Sequence, residues 1–110
     1  MITVLHLAES DGWAGGGTYL IQLARHLDRS RFRLMVAVPQ PGELANSLHA
    51  EGVEPIPFDL GSLWNPTPIL RLSRLLRNRR IEILQSHGAR TNVYGRLAGR
   101  LAGTPVIIST

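Results

Sequence analysis

The chain has 110 residues, no cysteine and a formal net charge of +4, all twelve of its Lys-plus-Arg positions being arginine. A chain of this length makes one domain, able to bury roughly 65% of the surface its unfolded form exposes. The lack of cysteine excludes disulfide scaffolds and cysteine-ligated metal sites and fits a reducing compartment. No apolar run approaches the ~20 residues of a membrane span, and the N-terminus lacks the basic start of a signal peptide, so a soluble, cytoplasmic protein is expected. Arginine suits planar anions, but basicity alone does not choose among nucleic acid, phosphorylated substrate and anionic membrane.

The chain opens on Ile2-Thr3-Val4-Leu5-His6-Leu7, a near-continuous apolar run of the kind a parallel strand shows when both its faces are covered. It leads into a loop from Glu9 to Gly17 that holds four glycines in its last six residues, Gly12, Gly15, Gly16 and Gly17. Such a loop turns tightly and lets backbone approach a ligand. A helix follows, with Leu20, Leu23, Ala24 and Leu27 at i, i+3, i+4, i+7 as its predicted inner stripe. Strand, glycine loop and helix together aim a helix N-terminus at an anion, usually a phosphate. The spacing G-x-x-G-G-G departs from G-x-G-x-x-G, and the second strand ends in Val38-Pro39-Gln40 without an acidic residue for a ribose, which disfavours a nicotinamide cofactor. No G-K-[ST] follows, which excludes a P-loop. A turn that only permits close strand–helix packing is the plainer alternative.

Arg31 to Val38 reads as the second strand, apolar toward its end. Glu43 to Glu51 reads as a short helix, with Leu44, Ala45 and Leu48 inward and Gly52 placed for a left-handed closure. The third strand, Val53 to Phe58, holds two prolines and so belongs at the sheet edge. Thr67-Pro68 suggests an N-cap and first turn for a helix over Pro68 to Arg80. That helix carries Ile69, Leu72, Leu75 and Leu76 on one side and Arg71, Arg74 and Arg77 on the other. The basic side could meet anionic lipid or simply face water. Without interleaved aromatic residues it makes a poor nucleic-acid platform, and no nucleic-acid partner is expected.

Ile81 to Gln85 is the fourth predicted strand and Ser86 to Asn92 the loop into the last helix. There Val93, Leu97, Ala98 and Leu101 are expected to face the core, and Gly95, Gly99 and Gly103 to form a smooth ridge against the sheet. Val106 to Thr110 is the fifth strand. Five strands alternating with four helices make an α/β, doubly wound parallel sheet of Rossmann-like order 3-2-1-4-5. Ligands bind at the carboxyl ends of strands where the winding reverses, here between the first and fourth strands. The loops Glu9 to Gly17 and Ser86 to Asn92 meet at that point.

Trp13 to Leu27, followed about sixty residues later by Ser86-His87-Gly88-Ala89-Arg90 and then by Arg96 to Pro105, resembles the amino-terminal domain of the family 4 glycosyltransferases of GT-B fold. The similarity runs over essentially the whole chain. It implies the N-terminal half of a GT-B fold, on the acceptor side and truncated, with the donor-binding C-terminal domain absent. It further implies a retaining hexosyl-type transfer from a nucleotide-sugar to a glycan or lipid-linked acceptor, in polysaccharide or glycolipid biosynthesis, without a required metal or cofactor. The nucleotide-sugar is then a substrate, and the chain alone is inactive. Gly15, Gly16 and Gly17 correspond to the family's glycine loop, whose amides touch the donor diphosphate or sugar. A glutamate that commonly follows those glycines is missing here.

His87 and Arg90 sit where relatives place acceptor contacts, against the alternatives of a local hydrogen bond for His87 and local capping or pairing for Arg90. Glu9 and Asp11 could bind acceptor hydroxyls or only answer the helix dipole. His6, His26 and His49 read as structural. A peripheral membrane contact through Arg71, Arg74 and Arg77 is a weaker expectation. The competing reading is a stand-alone nucleotide- or anion-binding module of flavodoxin-like type, since five strands suffice for a sheet.

Overall fold

The structure is a computed structural model that describes residues 2–8, 16–39, 42–58 and 66–109. Five strands, β1 (Ile2–Leu7), β2 (Phe32–Val38), β3 (Glu54–Pro57), β4 (Ile83–Ser86) and β5 (Val106–Ser109), alternate with four helices, α1 (Gly16–His26), α2 (Glu43–Ala50), α3 (Thr67–Asn78) and α4 (Ala89–Ala102). All strand pairs are parallel and the order is β3-β2-β1-β4-β5, as the pattern of apolar runs predicts.

Because successive side chains of a strand point to opposite faces, the central strands feed two cores. Leu5, Leu7, Met35, Ala37 and Leu84 meet Leu72, Leu76 and Ala98 on the α3–α4 side. Val36 and Val38 meet Leu20, Ile21, Ala24, Leu44 and Leu48 on the α1–α2 side. The proline-bearing β3 is an edge, as expected. Gly52 closes α2 with φ +79°, a conformation that favours glycine.

Four local readings are corrected. In α1 the buried residues are Leu20, Ile21 and Ala24, while Leu23 and Leu27 are only half-buried, so the inner face is turned from the predicted stripe. Thr67 is not an N-cap: Pro66 occupies that place at φ −76° and makes no side-chain cap bond. Proline's fixed φ already suits a helix, so α3 starts earlier than Pro68. β4 begins at Ile83 rather than Ile81, because the Ile81 amide donates to the Leu76 carbonyl and closes α3 instead.

The largest correction concerns α4. Val93, Leu97 and Leu101 are exposed, and the buried residues on this helix include Thr91, Tyr94, Gly95, Ala98 and Gly99. The glycines explain the rotation. A Cβ on Gly95 would stand 3.3 Å from Leu7 Cδ1, and one on Gly99 2.7 Å from Ile107 Cδ1, so these two positions are where the helix backbone touches the sheet. Gly103 does not belong to that ridge; it ends the helix at φ +74° with open space around it. Where small residues set a close approach, larger apolar neighbours on the same helix are turned outward.

Candidate functional site

The winding reverses between β1 and β4, which pair with Leu7 opposite Ser86. The ladder continues one step further, the His87 amide donating to the Leu7 carbonyl. Gly88 then adopts φ 118°, a backbone state that favours glycine, and turns the chain into α4 at Ala89. The helix therefore starts inside the stretch predicted to be loop. Its first turn is tied down locally: Thr91 Oγ1 donates to the Gly88 carbonyl at 3.1 Å, and Ser86 Oγ donates to Asn92 Oδ1 at 2.6 Å. Ser86 and Thr91 are both buried.

β1 and β4 thus each lead toward a helix, α1 and α4, whose N-terminal ends lie at the carboxyl side of the sheet. Neither helix has an acidic residue in its first turn, which leaves the positive end of each dipole uncompensated from within. Gly16 and Gly17 open α1. Arg90 is placed in the first turn of α4, its side chain being outside the described part. Gly15, Glu9 and Asp11 lie outside the described residues.

Strand periodicity brings a further group here. His6 pairs in register with Gln85, and His87 lies two residues beyond Gln85, so both imidazoles project from the same face, toward α1. His6 Nδ1 and His87 Nε2 are 2.7 Å apart, with ring centroids 5.0 Å apart and planes 14° from parallel, so the two rings meet edge to edge. Tyr19, from the first turns of α1, leans on both, 6.3 Å from His6 and 5.5 Å from His87. Its ring is exposed, His87 is half-buried and His6 is 2% exposed.

Burial disfavours the charged imidazole and, with the His87 charge nearby, pushes His6 from 6.5 down to about 3. His87 is lowered too, by its own burial. Near neutral pH the pair consists of two uncharged rings joined by one N–H···N bond, which supplies hydrogen bonding without charge.

His6, read as structural, is buried and bonded to His87, which places it behind that residue. The available signal was a histidine at the penultimate position of a largely apolar central strand. Tyr19 gave none beyond its nearness to the glycines. His26 and His49 stay apart from the crevice, His26 Nδ1 meeting the Gln22 carbonyl of its own helix at 2.9 Å. Among the described residues no group of three or more His, Asp or Glu is placed to hold a metal. A separate cleft of about 300 Å³, lined by Leu27, Phe32, Leu34 and Val53, lies near the start of β2 and is remote from His87. Its Arg29 is committed to the carbonyls of Ala24, Glu51 and Gly52.

Residues 13–110 match the family model for Glycosyltransferase Family 4. The chain belongs to that family. Among its relatives is the UDP-Gal:alpha-D-GlcNAc-diphosphoundecaprenol alpha-1,3-galactosyltransferase of Escherichia coli, 28% identical over 72 residues, which are 66% of this chain and 19% of the relative. Solved structures share the fold. A glycosyltransferase from Rickettsia africae superposes with a TM-score of 0.78 at 18% identity, over 98% of this chain and 29% of its own. HepE of Anabaena, in complex with UDP and glucose, gives 0.76 at 16% identity, over 98% and 29%. MurG of Acinetobacter baumannii gives 0.71 at 18% identity, over 99% and 35%. The family 4 chain thus has the amino-terminal half of a GT-B fold, as its resemblance implied, and spans about a fifth to a third of the length of these proteins.

Proposed function

We propose that this chain is the acceptor-side portion of a retaining glycosyltransferase that moves a hexose from a nucleotide-sugar to a glycan or lipid-linked acceptor. The observation that carries the reading is the meeting of His87 with the start of α1 at the reversal of the sheet, where α/β folds bind their ligands. The relatives supply the substrate classes. The Escherichia coli enzyme is named for a UDP-galactose donor and a diphosphoundecaprenol-linked acceptor, and HepE was solved with UDP and glucose.

In this reading the amides of Gly15, Gly16 and Gly17 meet the donor diphosphate at the positive end of α1. His87, Arg90, Glu9 and Asp11 contact the acceptor. No residue of this chain is assigned the bond-making step, which requires the donor-side domain and no metal. A lipid-linked acceptor would bring the protein to a membrane surface, and no described helix is long and apolar enough to cross one. The exposed outer side of α3 and α4 offers Leu70, Arg74, Val93, Leu97 and Arg100 for a peripheral contact. Arg71, Arg77 and Arg79 are already engaged, with the Phe58 ring, the Leu101 carbonyl and Glu54 respectively.

The test offers a panel of nucleotide-sugars with lipid-linked acceptors to this chain alone and to the full-length gene product. Transfer by the full-length protein and none by the chain alone is the expected result. Turnover by the isolated chain, or tight nucleotide binding by it that a further domain does not improve, would favour a stand-alone binding module or a complete enzyme.

A further inference from the structure

Tyr19 is the fourth residue of α1 and follows the glycines directly. Its sequence neighbours Leu20 and Ile21 are buried in the α1–α2 core, yet Tyr19 keeps 48% of its surface exposed. The other Phe and Tyr rings among the described residues, Phe32, Phe58 and Tyr94, are half-buried or buried. A ring of this size stabilises a fold most when a core encloses it. Tyr19 lies instead over the carboxyl ends of β1 and β4, against His6 and His87.

The geometry of those contacts decides what is left over. The Tyr19 ring meets His87 at 53° and His6 at 52°, so neither imidazole lies flat on it. The two histidines brace the ring without stacking over its face, and the first turns of α1 hold its backbone. A ring ordered in advance in this way loses little freedom when a ligand settles on it. Among the described residues the Tyr19 hydroxyl makes no hydrogen bond, although it can both donate and accept one.

An aromatic face is the negative side of the ring quadrupole. A pyranose turns C–H bonds, slightly positive and apolar, toward one face and carries its hydroxyls around the rim. The two surfaces match in size and in charge, whereas an open-chain polyol or a flexible lipid tail offers no such flat face. We infer that Tyr19 selects the acceptor by its sugar: the ring stacks on the C–H face of the acceptor's terminal pyranose, so that the crevice reads this sugar rather than the carrier behind it. The inference rests on the reading of the crevice as the acceptor site. Should Tyr19 only cover the buried His6, its ring would still make these histidine contacts but would not touch a sugar.

The experiment is saturation-transfer NMR on the full-length protein, as wild type, Tyr19→Phe and Tyr19→Leu. The probes are the methyl glycosides of glucose, galactose and N-acetylglucosamine, with sorbitol as the open-chain control and UDP as the donor-side control. Irradiating the aromatic protons should pass saturation to the C–H protons on one face of at least one glycoside, and none to sorbitol. Phenylalanine keeps the ring face, so the one-sided pattern should persist with an affinity within about threefold of wild type. Leucine keeps apolar bulk without the face, so the pattern should vanish and the affinity fall about tenfold, the scale of one aromatic stacking contact. UDP should bind all three proteins within about twofold. Glycoside binding that survives the leucine change, shows no one-sided pattern or falls equally in both variants overturns the role of Tyr19 and leaves the acceptor crevice standing. Weaker UDP binding in the leucine variant with unchanged glycoside binding also overturns it, by assigning Tyr19 to the donor. Absence of glycoside binding in all three proteins overturns the acceptor crevice and the role of Tyr19 with it.

Discussion

Acidification should unfold this domain through His6 before its carboxylates are titrated. The unfolded chain binds a proton on this residue near 6.5, whereas burial and the neighbouring His87 delay protonation in the folded chain to about 3. Below 6.5 the unfolded state therefore holds more protons than the folded one. The stability from an uncharged His6 is complete above 6.5 and is lost as pH falls toward 3. Each pH step in that window costs about 1.4 kcal/mol, so the loss at pH 5 is about 2 kcal/mol. That is a large share of the 5–15 kcal/mol typical of a domain. His87, lowered in the same direction, adds to the slope. Urea unfolding at pH 7 and pH 5 on the chain and on His6→Phe gives the measurement. The wild type should lose about 2 kcal/mol more than the variant over that interval. Equal losses in the two proteins would show that His6 is not buried as an uncharged ring, and the reasoning would fail.

Arg80 closes α3 at φ 53°, a left-handed state that suits glycine better than a side-chain-bearing residue. Arg80→Gly should stabilise the chain by about 1 kcal/mol in urea unfolding, and a loss of stability would mean that the arginine has an unseen role. If the outer side of α3 and α4 meets lipid, co-sedimentation of the full-length protein with anionic vesicles should fall when Arg74 and Arg100 are changed to glutamine. Binding indifferent to that double change would remove the membrane contact.

The sheet was legible because its order follows from simple rules. Strands covered on both faces read as apolar runs, prolines mark Glu54–Pro57 as an edge, and right-handed crossovers leave one winding for five strands. Helix faces were less legible. In α4 the leucines and valine fall at helical spacing, yet the glycines set the contact, since Gly99 leaves no room for even a Cβ before Ile107. Hydropathy rewards Leu97 and Leu101 and is blind to a surface defined by missing atoms.

The site divides in a similar way. His87 could be found from its place after a strand at the winding reversal. His6 could not, because its link to His87 depends on a register between strands almost eighty residues apart in sequence, together with the period-two alternation that turns both rings toward α1. Family resemblance pointed to the glycines and to His87 and Arg90, and it carried no information about which strand residue stands behind His87.

The central claim is that the crevice between β1 and β4 serves the acceptor while a further domain holds the donor. Its most direct test is the steady-state kinetics of His87→Ala in the full-length protein, with donor and acceptor varied in turn. The account predicts an acceptor KM raised about tenfold or more, with the donor KM within about twofold of wild type. A raised donor KM with an unchanged acceptor KM, or no change in either, would contradict it.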